Sequence, residues 1–204
     1  MQKFLFVFLF LAVTTSSFGV SFDIQNIVWT SPVNVTISGN SLTQNGAANQ
    51  WNAGAFSTQY IAAGKNGYVE TTAQETTSHR MFGLSDFDTN AVYNTIDYAL
   101  YMTYGGTIQI YENGSYMGNF GTYTTGSVFR VAREGTEIKY YHNSSLIRTV
   151  ANGLTVNLYA DTSSYELNST IYNAKIAVEA IPEPSCMLLF FISVLVFAAS
   201  RLRR

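Results

Sequence analysis

The side chains best suited to hold something fall in two places. In "SDFDTNAVYNTID", Asp86, Asp88, Asn90 and Asp97 lie within twelve residues, and spaced carboxylate and amide oxygens suit a hard cation such as calcium. The EF-hand form of that chemistry asks for Gly sixth and Glu twelfth. Counted from Asp86, Ala91 and Asp97 stand there, and no helical pattern flanks the stretch. The simpler use is a polar loop whose Asp and Asn side chains bond their own backbone. That reading is preferred, so no cofactor is expected and calcium is the alternative. The second place is aromatic. Trp51 in "NQWNAGAFS" sits amid Asn and Gly, where an indole can stand exposed as a platform for a sugar ring. Tyr68 and Tyr98 are secondary candidates, followed by Tyr60, Tyr93 and Tyr104. The competing use of such rings is core packing.

Catalytic patterns are missing from the sequence. A glycosidase needs two carboxylates flanking the scissile bond, and no strand-like run carries them in the Glu-x-Asp-x-x-Glu manner. Glu134 and Glu137 flank Gly135, a solvent-facing hairpin. His79 and His142 are sixty-three residues apart, without neighbours at metal-ligand spacing. There is no Gly-x-Ser-x-Gly elbow and no Gly-rich phosphate loop. Non-enzymatic binding is therefore expected, with a glycoside hydrolase as the weakest alternative.

The elements that must position these residues read as strands. "NVTIS", "SLTQN", "GYVETTA", "RMFGLS", "DYALYMT", "TIQIYE", "SYMGNFG", "VFRVARE", "EIKYYH", "SLIRTV", "TVNLYA" and "IYNAKIAVE" are short, rich in Tyr, Phe, Val, Ile and Thr, and bounded by turn residues. Asn113-Gly114 between two of them is a type I′ hairpin signal. About a dozen strands at regular spacing predict an all-β fold, a two-sheet antiparallel β-sandwich. Alternation places Ile108, Ile110, Phe129, Val131, Ile138 and Tyr140 in its core, and the first and last strands are expected to pair. From Met81 to Val150, "TIDYALYM", "TIQIYENGSYMGNFGTYTTGSVFRVAREG" and "TEIKYYHNSSLI" resemble the concanavalin A-like (SPRY-like) jelly-roll modules of bacterial surface proteins. Ser127 stands where those modules often have Asp, and Ser144 where they often have Gly. The resemblance implies a fold, and glycan binding as a frequent use of it.

The two ends carry addresses. "MQKFLFVFLFLAVTTSSFG" has one Lys, an apolar run from Phe4 to Val13 and then small residues, the layout of a secretory signal peptide. Cleavage after Gly19 or Ser21 fits equally. At the other end Pro182-Glu183-Pro184 is followed by an apolar run to Ala199, then by Arg201, Arg203 and Arg204. A spanning helix wants about 20 apolar residues; this run, about 186–200, is short, but terminal arginines can snorkel. The order of features resembles the PEP-CTERM sorting signal of Gram-negative bacteria. That resemblance implies recognition by an exosortase, processing near the Pro-Glu-Pro, and delivery to the cell surface or matrix.

The expected organisation is a signal peptide (1–20), a β-sandwich (21–180) and a sorting signal with a transmembrane helix (181–204). Between the ends, seven basic residues face twelve acidic ones, a net charge of −5, which argues against nucleic acid as a partner. The lone Cys186 lies in the tail, so no internal disulfide holds the domain. Four Asn-x-Ser/Thr sequons, at Asn34, Asn113, Asn143 and Asn168, mean little in a bacterial exported chain. The expected partners are the export machinery, an exosortase, the membrane through the C-terminal helix, and an exopolysaccharide or other glycan. A purely structural or adhesive matrix protein is the alternative.

Overall fold

The computed structural model describes residues 20–47, 49–151 and 155–180. The signal peptide, the Pro182-Glu183-Pro184 motif, the transmembrane run and Arg201, Arg203 and Arg204 lie outside the described residues. Among the described residues no helix is long and apolar enough to cross a membrane.

Among the described residues fifteen strands follow one another: β1 (Phe22–Asn26), β2 (Trp29–Val33), β3 (Val35–Ser38), β4 (Ser41–Gln44), β5 (Gly54–Ile61), β6 (Gly67–Thr72), β7 (Arg80–Ser85), β8 (Tyr98–Met102), β9 (Thr107–Glu112), β10 (Ser115–Thr122), β11 (Val128–Glu134), β12 (Glu137–His142), β13 (Ser145–Ala151), β14 (Leu158–Ser164) and β15 (Thr170–Glu179). They form two antiparallel sheets. One has eight strands in the order β13-β12-β11-β6-β15-β4-β3, with β1 also paired to β15; the other runs β10-β9-β8-β7-β14-β5-β2. We call them the β11 sheet and the β8 sheet.

Alternation decides what lies between the sheets. Ile108 and Ile110 from β9 meet Phe129, Val131, Ile138 and Tyr140 from β11 and β12, all fully buried in one core. The strands are joined by turns their sequences specify. Asn113 and Gly114 take φ of 49° and 73°, the double-positive geometry of a type I′ turn. Asn143 and Ser144 repeat it at 47° and 67°. All four sequon asparagines sit at positive φ, where Asn is tolerated because its short amide bonds locally; as turn residues they owe their place to backbone geometry.

The first and last strands pair along five residues, from Phe22 opposite Glu179 to Asn26 opposite Lys175. The Ala180 N–H donates to the Ser21 carbonyl at 2.9 Å, so both ends of the domain emerge side by side. Three strands lie beyond those the alternation predicts, namely β1, β2 and β5. β1 is exposed along its whole length, and β2 contains Pro32 and a positive φ at Ser31. Long-range pairing holds both of them, and no local pattern encodes it.

Candidate ligand-binding face

The outer face of the β8 sheet is built by register. One row crosses it from Tyr111 (β9) through Ala99 (β8) and Gly83 (β7) to Asp161 (β14) and Phe56 (β5). The next row runs Gln109, Tyr101, Met81 and Ser163. Rings thus stand at one side and small residues in the middle. The backbones there are close: a Cβ on Gly83 would lie 1.9 Å from the Tyr98 carbonyl oxygen. Over the small residues folds the segment from Asp86 to Asp97, with a single 3-10 turn at Tyr93–Thr95. Ile96 packs on Met81 and Ala99, and the Ser163 hydroxyl donates to the Ala91 carbonyl at 2.8 Å.

Trp51 reaches this face because backbone bonds knit three distant segments together. Gln50 N–H donates to the Tyr165 carbonyl, Ser164 N–H to that of Ala53, and Tyr165 N–H to that of His79. The half-buried indole then lies 5.1 Å from Tyr93, 5.3 Å from Tyr165 and 5.6 Å from Tyr101, measured between ring centroids. Tyr111 continues the row, 5.6 Å from both Tyr101 and Tyr116. Trp51, His79, Tyr101 and Tyr165 line an open recess of about 270 Å³. His79 among them is tied to a carboxylate: its Nδ1 lies 2.5 Å from Glu166 Oε1, and its backbone N–H donates to Glu166 Oε2. Burial, with added repulsion from Tyr111 and Glu166, pushes the Tyr101 phenol well above its ordinary range. Burial also raises that of Tyr111. These rings are therefore neutral phenols at any physiological pH.

A second recess of about 220 Å³ lies on the same face, lined by Gly54, Asp88, Asn90 and Asp161 among others. Asp161 is buried at 3 % exposure. It accepts from the Ser85 hydroxyl and from the Thr162 N–H, each at 2.7 Å. Burial raises it to about 8, with Asp88 and Asp97 adding repulsion against the two hydrogen bonds.

The residues singled out from sequence do not converge on one site. Trp51 joins the aromatic recess. Tyr98 is corrected to a core residue, 7 % exposed: it shares its strand face with Leu100 and Met102, opposite to Tyr101, so it cannot meet a ligand beside Trp51. Tyr68 belongs to β6 in the other sheet, where the Arg130 guanidinium sits 3.8 Å over its ring and Phe22 packs 5.7 Å away. It is thereby removed from the Trp51 face. Asp86, Asp88, Asn90 and Asp97 share one loop, and two of them spend an oxygen on its backbone. Asp97 Oδ2 accepts from the Asp86 N–H and Asn90 Oδ1 from the Val92 N–H. Among the described residues no group of three or more His, Cys, Asp or Glu side chains could hold a metal ion. Sequence reasoning missed Tyr101, His79, Tyr165 and Glu166, which meet only through pairing across the sheet.

Comparison with known proteins places the fold. No protein-family model matches the chain, and no curated protein is similar to it. Among solved structures, the Emp47p carbohydrate recognition domain matches with a TM-score of 0.50 at 10% identity, covering 83% of this chain and 93% of that one. The SPRY domain of human HERC1 matches at 0.50 and 13% identity, with 80% and 100% covered. The Crh5 transglycosylase in complex with NAG matches at 0.52 and 13% identity, with 80% and 87% covered. The chain therefore has the concanavalin A-like/SPRY-like β-sandwich fold. Identity this low speaks for fold alone, and such folds host unrelated functions.

Proposed function

We propose that this is a non-catalytic glycan-binding module of an exported surface protein, and that sugar rings stack in the recess of Trp51, Tyr101 and Tyr165. The observation that carries this reading is a half-buried indole, backed by tyrosines, opening onto a recess the size of one sugar ring. Apolar ring faces with a few polar rim groups suit a pyranose, whose C–H face stacks while its hydroxyls find Glu166 and His79. The carbohydrate recognition domain among the similar folds is compatible with this use. On catalysis, the reading rests on how the carboxylates are occupied: Glu166 is held by His79, and Asp161 is buried beneath the loop. Export and PEP-CTERM sorting to the cell surface or matrix are part of the proposal, and their support is the motif order at the chain ends. The exosortase and export machinery are the partners that order implies.

The test is a glycan array probed with wild-type protein and with Trp51→Ala, each with and without a calcium chelator. Binding is expected that Trp51→Ala reduces about two- to tenfold, since stacking contributes roughly 0.5–1.5 kcal/mol per ring, and that chelation leaves unchanged. Loss on chelation alone would move the site to Asp86–Asp97. No binding to any glycan would leave a structural or adhesive matrix protein.

A further inference from the structure

The seven basic residues between the chain ends are distributed unevenly over the two sheets. Arg130, Lys139 and Lys175 stand on the β11 sheet, in β11, β12 and β15. Lys65 lies in the turn between β5 and β6, near Glu179 at 3.9 Å. Arg148 of β13 reaches the Glu112 carboxylate at 2.8 Å. Arg80 and Arg133 are fully buried. Arg80 is in the β8 sheet, but it pairs with Glu75 at 3.1 Å and shares its register position with the core residue Met102.

Among the described residues, then, no Lys or Arg side chain is exposed on the outer face of the β8 sheet. The loop that covers that face holds acids instead, Asp86, Asp88 and Asp97, and Glu166 stands against His79 beside the recess. The one ionisable nitrogen at the recess is that of His79, already in contact with the Glu166 carboxylate.

We propose that this face selects uncharged glycans and rejects polyanionic ones. The inference rests on the glycan-binding reading above and adds the charge class of its ligand. A uronate or sulfated chain laid across Trp51 would bring anionic groups beside these carboxylates. Each like-charge approach is repulsive, the more so as water is excluded, and among the described residues no Lys or Arg stands on that face to offset it. A neutral chain meets the opposite situation. Its hydroxyls are donors, carboxylates and amides are acceptors, and charge-assisted hydrogen bonds of this kind are the stronger ones.

The intact chain in a non-sugar detergent allows a direct test through tryptophan emission. Of its two tryptophans, Trp29 is 7 % exposed and its indole N–H donates to the Asn40 carbonyl. A ligand-induced change in emission therefore reports Trp51. The probes are neutral hexasaccharides (β-glucan, mannan and xylan types) and a uronate hexasaccharide, titrated at about 0.01 M and about 0.1 M salt, where the screening length falls from about 30 Å to about 10 Å. At least one neutral hexasaccharide is expected to shift the emission with a salt-independent Kd. The uronate is expected to bind at least about tenfold more weakly at low salt, with the gap narrowing as salt rises. Uronate binding as tight as that of the best neutral probe overturns the selectivity while leaving glycan binding intact. A Trp51 signal that no saccharide moves removes glycan binding itself, and the selectivity with it.

Discussion

Asp161 joins full burial to a group that prefers water, and its environment settles the conflict by keeping the proton on. Its pKa in the folded chain is about 8, above the ordinary carboxylate value near 3.9 that the unfolded chain would show. Between those two values the folded state holds a proton that the unfolded state has released, so stability falls as pH rises through that window. The penalty is absent below pH 4 and complete above about 8. Thermal melts should show Tm declining from pH 5 to pH 9, and Asp161→Asn should flatten that decline and raise Tm at pH 9. A variant that melts with the wild-type pH slope would mean that another group sets it. Single residues also mark the limit of the sequence. Trp51 was legible because Asn and Gly around an indole leave it few local partners. Tyr98 was misread because every residue of "YALYM" except Tyr101 is buried, so both parities of the strand look equally apolar. Only the neighbouring strands tell which parity faces inward.

At the scale of elements, the β8 sheet depends on a narrow centre. Gly83 is in extended backbone, yet its missing side chain lets β7 and β8 approach. Gly83→Ala should lower stability by roughly 2 kcal/mol through overpacking against backbone that cannot move aside. Urea unfolding is expected to show a lower midpoint at unchanged slope. An unchanged midpoint would show that the sheet spreads at little cost. The turn residues and the core parity of β9, β11 and β12 could be read from the sequence, because each is encoded within a few residues. The aromatic recess could not, since Trp51, His79, Tyr101 and Tyr165 come from four segments that meet only when β7, β8 and β14 pair. The same holds for β1, whose five exposed residues carry no burial pattern.

At the scale of the whole molecule, buried arginines tie the sheets together in a domain whose sequence supplies no internal disulfide. Arg133 of β11 is fully buried, and burial lowers its pKa. Its guanidinium donates to the carbonyls of Ile61, Ala62, Lys65 and Val156, which flank β5 and β14 of the opposite sheet. Arg133→Met keeps the volume but strands those carbonyls, at a cost of about 3 kcal/mol. Arg133→Lys should recover only part of it, because an ammonium cannot fan its donors as a guanidinium does. Denaturant midpoints of the two variants check the order, and equal midpoints for Lys and Arg would reduce the contact to simple charge. The pairing of the last strand has a mechanical meaning. β15 is held on one side by β6 and on the other by β1 and β4. A pull on its C-terminal end along the strand loads the hydrogen bonds to all three neighbours together, in shear, whereas a hairpin edge opens one bond at a time. Any load that reaches the domain through residue 180 is thus spread over three neighbouring strands at once.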